Sequence, residues 1–561
     1  MKRLILLLVV AFAFAAIGRA AYRASSPAEA ALSKYVPSGP LLYLEAKDFS
    51  SLVRDWNSSS QKKLWLKSDN YEVFSRSRLF LRLKGAGDQF AAAAGLPPDM
   101  DFLSQVAGGQ SALAIYDIGK LQFLYITYLP SARSMQTRLW QTRSSFETRN
   151  AAGTDFYFRR DPQSQREVAF AVSGDYLLLA TREDLIAGAL QLIAGKPGRT
   201  VESDSWWSQA TSAAGQKGDL RMVLDMQTLV PNGYFRTYWA QQNITDLSQY
   251  SAAVSDLYRS SKEYREERVL VRKKEVEPSP DRAAAVASLS RLIPDEAGVY
   301  IATANPSPDA AFSLLETKLL DPHVGPQPVS LYAPQVQLTS GESGGGSDLE
   351  TRIDQAPSQS QARSELGSAL KTLLTKNVPT ASLLVQSTET DPAGVFVRIH
   401  SAVVLAANSE WNESEVRASI AGFVGPTLTA SELGIGWRQN ASHEQLDGLL
   451  PILVSVHGRE LVVSDDASLM TAIGTRFSRP ANHDPLSLFA GFNHGQEHSP
   501  FVRLTTLVDR PGGAAIEHQP QFFSDNMASL SRTLADVSSE RLETHDEGAK
   551  IRETVTYEWS R

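Results

Sequence analysis

Short apolar runs closed by Gly, Asp or Ser recur along this chain, and they have the length of strands rather than of helices. SALAIYDIGKLQFLYITYL, from Ser111, reads as two strands joined at Gly119. YLLLAT and ELVVSD are strands that run straight into helices. The turns before them hold Gly174 and Gly458, and Thr181 and Asp465 stand where an N-cap oxygen would accept free backbone N–H groups. NITDLSQYSAAVSDLYRSSKEY spaces Ile244, Leu247, Val254 and Leu257 as one side of an amphipathic helix, with DNMASLSRTLADVSSERL in the matching place later on. The pattern predicts an α+β fold of mostly antiparallel sheets with helices packed on them.

The pattern also occurs twice. VPSGPLLY, with Pro37 and Tyr43, returns as IPDEAGVY, with Pro294 and Tyr300, at a spacing of 257. At a spacing of 284, VSGDYLLLATREDL from Val172 lies over VHGRELVVSDDASL from Val456, placing Leu177 on Leu461. The same register lays LRMVLD, ending at Asp225, over LTTLVD, ending at Asp509, and ERVLVRKKEV over IRETVTYEWS. Three separated segments in one register predict two homologous halves, 36–280 and 293–561, joined by a linker at 281–292. The larger spacing requires extra residues in the second half. The Gly-, Ser- and Gln-rich text around 324–377, which contains TSGESGGGS, supplies them as a flexible insertion.

Ahead of the first half, Lys2 and Arg3 precede an apolar run from Leu4 to Gly18. A helix of that length spans about 22 Å, less than the roughly 30 Å of a bilayer's hydrocarbon core. Residues 1–35 therefore read as a signal peptide or an uncleaved membrane anchor, and either places the rest outside the cytoplasm. The order of export signal, VPSGPLLYLEA, the Trp-containing FSSLVRDW and later SGDYLLLATREDLIAGAL resembles a family of exported bacterial envelope proteins of unknown function. That resemblance implies location and fold, and it transfers no catalytic residue.

Composition narrows the chemistry. There is no Cys, hence no disulfide, thiolate metal site or catalytic thiol, which suits a bacterial envelope better than a eukaryotic secretory route. A net charge of -7 without a basic patch offers nothing to a phosphate backbone, so nucleic acid is not an expected partner. HGQEH, at 494–498, matches H-x-x-E-H, in which His494 and His498 would bind zinc and Glu497 would activate water. Gly491, Asn493, Gly495 and Pro500 around it predict a loop feeding a strand FVRLTTLVD, and the other half has Ala210, Ala213 and Ala214 at these places. GESGG offers Ser343 as a nucleophile, but three consecutive glycines stand where the elbow's helix would start. All nine His lie after residue 322, so a job shared by both halves needs no imidazole.

The sequence therefore points to a non-enzymatic envelope protein without cofactors that binds or scaffolds a partner. The alternative is a carrier enclosing an apolar cavity for lipid or another hydrophobic molecule. A zinc or serine hydrolase is the weaker option. The placement is directly testable: a reporter enzyme fused after Ala31 should be active only outside the cytoplasm, and cytoplasmic activity would reverse it.

Overall fold

In the computed structural model, residues 31–237, 244–304, 306–320, 367–390, 397–428, 436–440, 442–446, 451–481, 484–500 and 537–559 are described. Residues 1–30, which hold most of the expected signal or anchor, Gly341 to Ser347 and FVRLTTLVD with Asp509 lie outside them. The chain divides into two units. One takes in Met1–Asp55, Arg82–Ala213 and Leu220–Ser248, and the other Trp56–Leu81, Ala214–Asp219 and Gln249–Arg561.

The first unit carries β1 (Leu42–Ala46), β2 (Ser111–Asp117), β3 (Gln122–Tyr128), β4 (Glu147–Ala151), β5 (Thr154–Arg160), β6 (Glu167–Ser173), β7 (Tyr176–Ala180) and β8 (Leu220–Asp225). They run β8-β1-β2-β3-β7-β6-β5-β4 across the sheet, and every pair is antiparallel. On one face the rung Tyr43, Ala114, Leu124 and Ala180 is fully buried. Helix Glu183–Ile193 packs on that sheet, and Trp207 of helix Ser205–Ala213 meets Tyr43 edge-on at 4.9 Å. Tyr43, Leu44 and their neighbours alternate between faces because successive strand side chains point oppositely.

The second unit carries β9 (Tyr250–Arg259), β10 (Glu263–Arg272), β11 (Val299–Ala304), β12 (Pro379–Thr390), β13 (Val397–Ala407), β14 (Trp437–Gln439), β15 (Glu444–Leu446), β16 (Ile452–His457), β17 (Glu460–Ser464), β18 (Leu488–Asn493), β19 (Val537–Asp546) and β20 (Lys550–Trp559). Its order is β9-β10-β20-β19-β18-β11-β12-β13-β17-β16-β15-β14, again antiparallel throughout. From β18 onward this repeats, strand for strand, the connectivity of β8 to β4. Both faces are packed. Leu383, Val385 and Val404 sit in one core with helix Pro280–Ser290, while Leu384, Val403 and Leu405 sit in another with Phe312, Trp411 and Phe423.

The hairpin at Gly119 and the strand-to-helix passages after Gly174 and Gly458 appear as the sequence predicts, both glycines at positive φ, 55° and 63°. Other expectations differ from the structure. The helix expected from Ile244 to Leu257 is only Ile244–Leu247, followed by β9, and Val537 to Leu542 of its counterpart belong to β19. Tyr250 to Val254 are all buried and their strand is laddered against β10, so cross-strand pairing overrides a short stretch that also fits helical spacing. The supposed linker 281–292 is helix Pro280–Ser290, begun by a Pro and buried through Val286, Ala287 and Leu289. The end of the 324–377 insertion is likewise helical, Ser368–Lys376, anchored by Leu370, Leu373 and Leu374.

Thr181 and Asp465 do not cap helices. Each accepts a backbone N–H from the neighbouring strand just past the last paired rung, Thr181 Oγ1 from Phe123 at 2.8 Å and Asp465 Oδ1 from Ser401 at 2.7 Å. Burial pushes the Asp465 carboxyl upward, and Asp466 supplies the cap by accepting the Leu469 N–H. Among the described residues no helix is long and apolar enough to cross a membrane.

Within the second unit Arg272 of β10 is 9% exposed and grips Asp546, with an added bond from its Nη1 to the Gly548 carbonyl at 2.8 Å. The guanidinium's hydrogen bonds hold the Asp546 carboxyl below the usual carboxylate range. A depressed carboxylate contributes stability that is complete above its unfolded pKa, about 3.9, and is lost as pH falls through the folded value. Arg272→Ala should cost on the order of 2–3 kcal/mol in chemical denaturation at neutral pH. Its stability should also fall less steeply than the wild type's below about pH 4. An unchanged acid limb would show that the pair is not coupled to folding.

Candidate functional site

Residues 494–500 form a helical segment directly after β18, which corrects the loop expected there. Asn493 starts it by accepting the Gln496 N–H through Oδ1, so the polar residues around HGQEH act as a helix start. Asp225, the last residue of β8, likewise caps helix Met226–Leu229 by accepting the Thr228 N–H. Ala210 and Ala213 lie in helix Ser205–Ala213, not in a loop.

His494 packs edge-on against Phe492 at 4.6 Å, and burial, followed by nearby His498, holds its imidazole below the ordinary pKa. Glu497 is 5% exposed, and its Oε1 accepts the Thr388 N–H of β12 at 3.1 Å. A Cβ at Gly298 would stand 1.6 Å from that oxygen, so only glycine leaves room for the carboxylate. Glu497 thus serves as a packing contact and satisfies a strand-end amide. Among the described residues no group of three or more His, Asp or Glu side chains converges as for a metal ion. Ser343 lies outside the described residues.

A different feature of the first unit stands out. The face of the sheet opposite Tyr43 carries the rung Leu44, Leu113, Tyr125 and Leu179, with Ile115 and Phe123 beside it. Helical residues Phe49 and Leu52, Leu83 to Phe90, and Phe102 to Val106 cover this face without closing on it. Between them lies a cavity of about 690 Å³. Its walls are almost entirely hydrocarbon, and Leu44, Leu113, Ile115 and Phe123 remain only half-buried, whereas the opposite face is packed out. The corresponding rung of the second unit runs Ile301, Leu384, Val403 and Val463. There Leu384, Val403 and Val463 are buried beneath aromatic side chains.

The polar groups at the cavity floor satisfy one another. Tyr125 donates its hydroxyl to the Val106 carbonyl at 2.9 Å, and Ser111 and Thr127 share a hydrogen bond. Burial pushes the Tyr125 hydroxyl's pKa upward. Behind the strand, on the Tyr43 face, Glu45 accepts from Tyr43 at one oxygen and from Gln110 at the other. At the rim sits half-buried Arg166, presented by a turn in which Asp161 accepts the Ser164 N–H at 2.7 Å. Its guanidinium donates to the Lys120 carbonyl and to Gln89 Oε1, and desolvation lowers its pKa. The sequence carries one faint sign of this site: SALAIYD and QFLYITY are apolar on both faces, which packed core strands also are.

No protein-family model matches the chain. No curated protein matches it either. Among solved structures, crystal form III of TP0453 is similar over 49% of this chain and 90% of its own, at 12% identity and a TM-score of 0.23. Crystal form I covers 46% and 84%, at 11% identity and a TM-score of 0.24. Likeness this distant carries no function.

Glu497→Ala should lower stability by roughly 1–3 kcal/mol, because the Thr388 amide is left unsatisfied, while Glu497→Gln should cost less. A chelator should leave the melting temperature unchanged in both. A chelator-sensitive melt abolished by His494→Ala would restore the zinc reading.

Proposed function

We propose that this chain is an exported, non-enzymatic bacterial envelope protein whose first unit binds and carries a hydrophobic molecule. The observation that supports it is the 690 Å³ apolar cavity, whose volume falls within the roughly 300–1,000 Å³ of small-molecule sites. Of the readings the sequence offers, the cavity favours the carrier over the partner-binding scaffold. The binding force needs no catalytic group: each methylene moved from water to such walls contributes about 0.8 kcal/mol, less the cost of ordering ligand and protein. The export segment supports placement outside the cytoplasm, where a hydrophobic molecule leaving one membrane needs cover from water. We also propose that the two units arose by duplication, which the shared connectivity supports. In this reading one copy filled its helix-covered face with Phe312, Trp411 and Phe423, and the other left it open.

An apolar fluorophore such as N-phenylnaphthylamine should bind the full chain with enhanced emission and be displaced by long-chain lipids. Leu113→Trp, which fills the cavity from the middle of the sheet, should weaken this by about tenfold or more while leaving the melting temperature equal or higher. Undiminished binding by a folded Leu113→Trp protein would place the ligand elsewhere.

A further inference from the structure

The geometry points to an amphiphile with an anionic head, carboxylate or phosphate monoester, as the ligand of this cavity, its head held by Arg166. The inference rests on the carrier reading and adds the class of ligand. Three observations support it.

The first is charge. Arg166 is the cationic side chain in the cavity lining, and its guanidinium bonds to two neutral acceptors, the Lys120 carbonyl and Gln89 Oε1. Neighbouring arginines are matched: Arg160 pairs with Glu167, and Arg149 with Glu147 and Glu183. Among the described residues Arg166 has no such carboxylate. A guanidinium has five donors in a planar fork, so an oxyanion can be bound beside the two existing contacts.

The second is polarity along the cavity. Apart from Arg166, the polar side chains on the cavity's face of the sheet are internally satisfied, Tyr125 on the Val106 carbonyl and Ser111 on Thr127. An anionic head is therefore favoured at Arg166, with its hydrocarbon chain along the apolar walls.

The third is volume: a cavity of about 690 Å³ lies within the roughly 300–1,000 Å³ of small-molecule sites and has room for a long hydrocarbon chain.

Fluorophore displacement on the full chain tests this with palmitate, palmitoyl lysophosphatidate and hexadecanol. The wild type should prefer at least one of the two anions over the alcohol by about tenfold, the better one identifying the head group. Arg166→Gln should bring the anions to parity with the alcohol and leave alcohol binding unchanged, whereas Arg166→Lys should retain part of the preference. Equal affinity of the wild type for all three would overturn the head-group assignment and leave the carrier reading standing. Loss of all three ligands alike in Arg166→Gln would mean that the arginine merely latches Gln89 to Lys120, which also overturns it. Failure of every ligand to bind the wild type would remove the carrier reading and this inference with it.

Discussion

An antiparallel sheet with both faces apolar has to be covered twice, because each strand sends alternate side chains to opposite sides. Most of this structure follows from how that requirement is met. In the second unit the middle strands are covered on both sides, by helix Pro280–Ser290 on one face and the cluster of Phe312, Trp411 and Phe423 on the other, while Ile301 of β11 stays 41% exposed. In the first unit Tyr43, Ala114, Leu124 and Ala180 are covered completely, while Leu44, Leu113 and Phe123 look across open space. Helical cover that stands off forfeits dispersion contacts along its inner lining, and a monomer gains nothing in stability from that loss. A second hydrophobic body in the gap recovers them.

The site's polar chemistry is sparse, and that sparseness is informative. Tyr125, Ser111 and Thr127 are bonded among themselves, so they neither demand a polar ligand nor reject an apolar one. In the proposed carrier role, specificity is left to shape and to Arg166 at the rim. HGQEH, by contrast, has the letters of a reactive site and the structure of a helix start, because Glu497 is turned to a backbone amide of β12.

Legibility in the sequence followed the range of the interactions involved. The hairpin at Gly119 and the glycine turns at Gly174 and Gly458 were readable because local backbone geometry decides them. Thr181 and Asp465 were misread as caps because their true partners, Phe123 and Ser401, lie in strands distant in sequence. The β9 stretch failed for the same reason: Val254 and Leu257 suit a helix face until pairing with β10 fixes a two-residue period. Nothing local marks Arg166 either, since its significance is the absence of a carboxylate among neighbours brought in from Gln89 and Lys120.

The sequence by itself determined the α+β class, the antiparallel strands and the paired text of Tyr43 with Tyr300 and Leu177 with Leu461, because periodicity and turn chemistry are written in consecutive residues. Only the tertiary structure decided whether apolar strands face packed helices or empty space. Leu113 and Leu384 are the same residue type on equivalent rungs, yet one lines a cavity and the other is sealed beneath aromatic rings. The difference lies in how closely distant helices approach the sheet, and that distance is set by the sum of side-chain volumes across the layer rather than by any one stretch of chain.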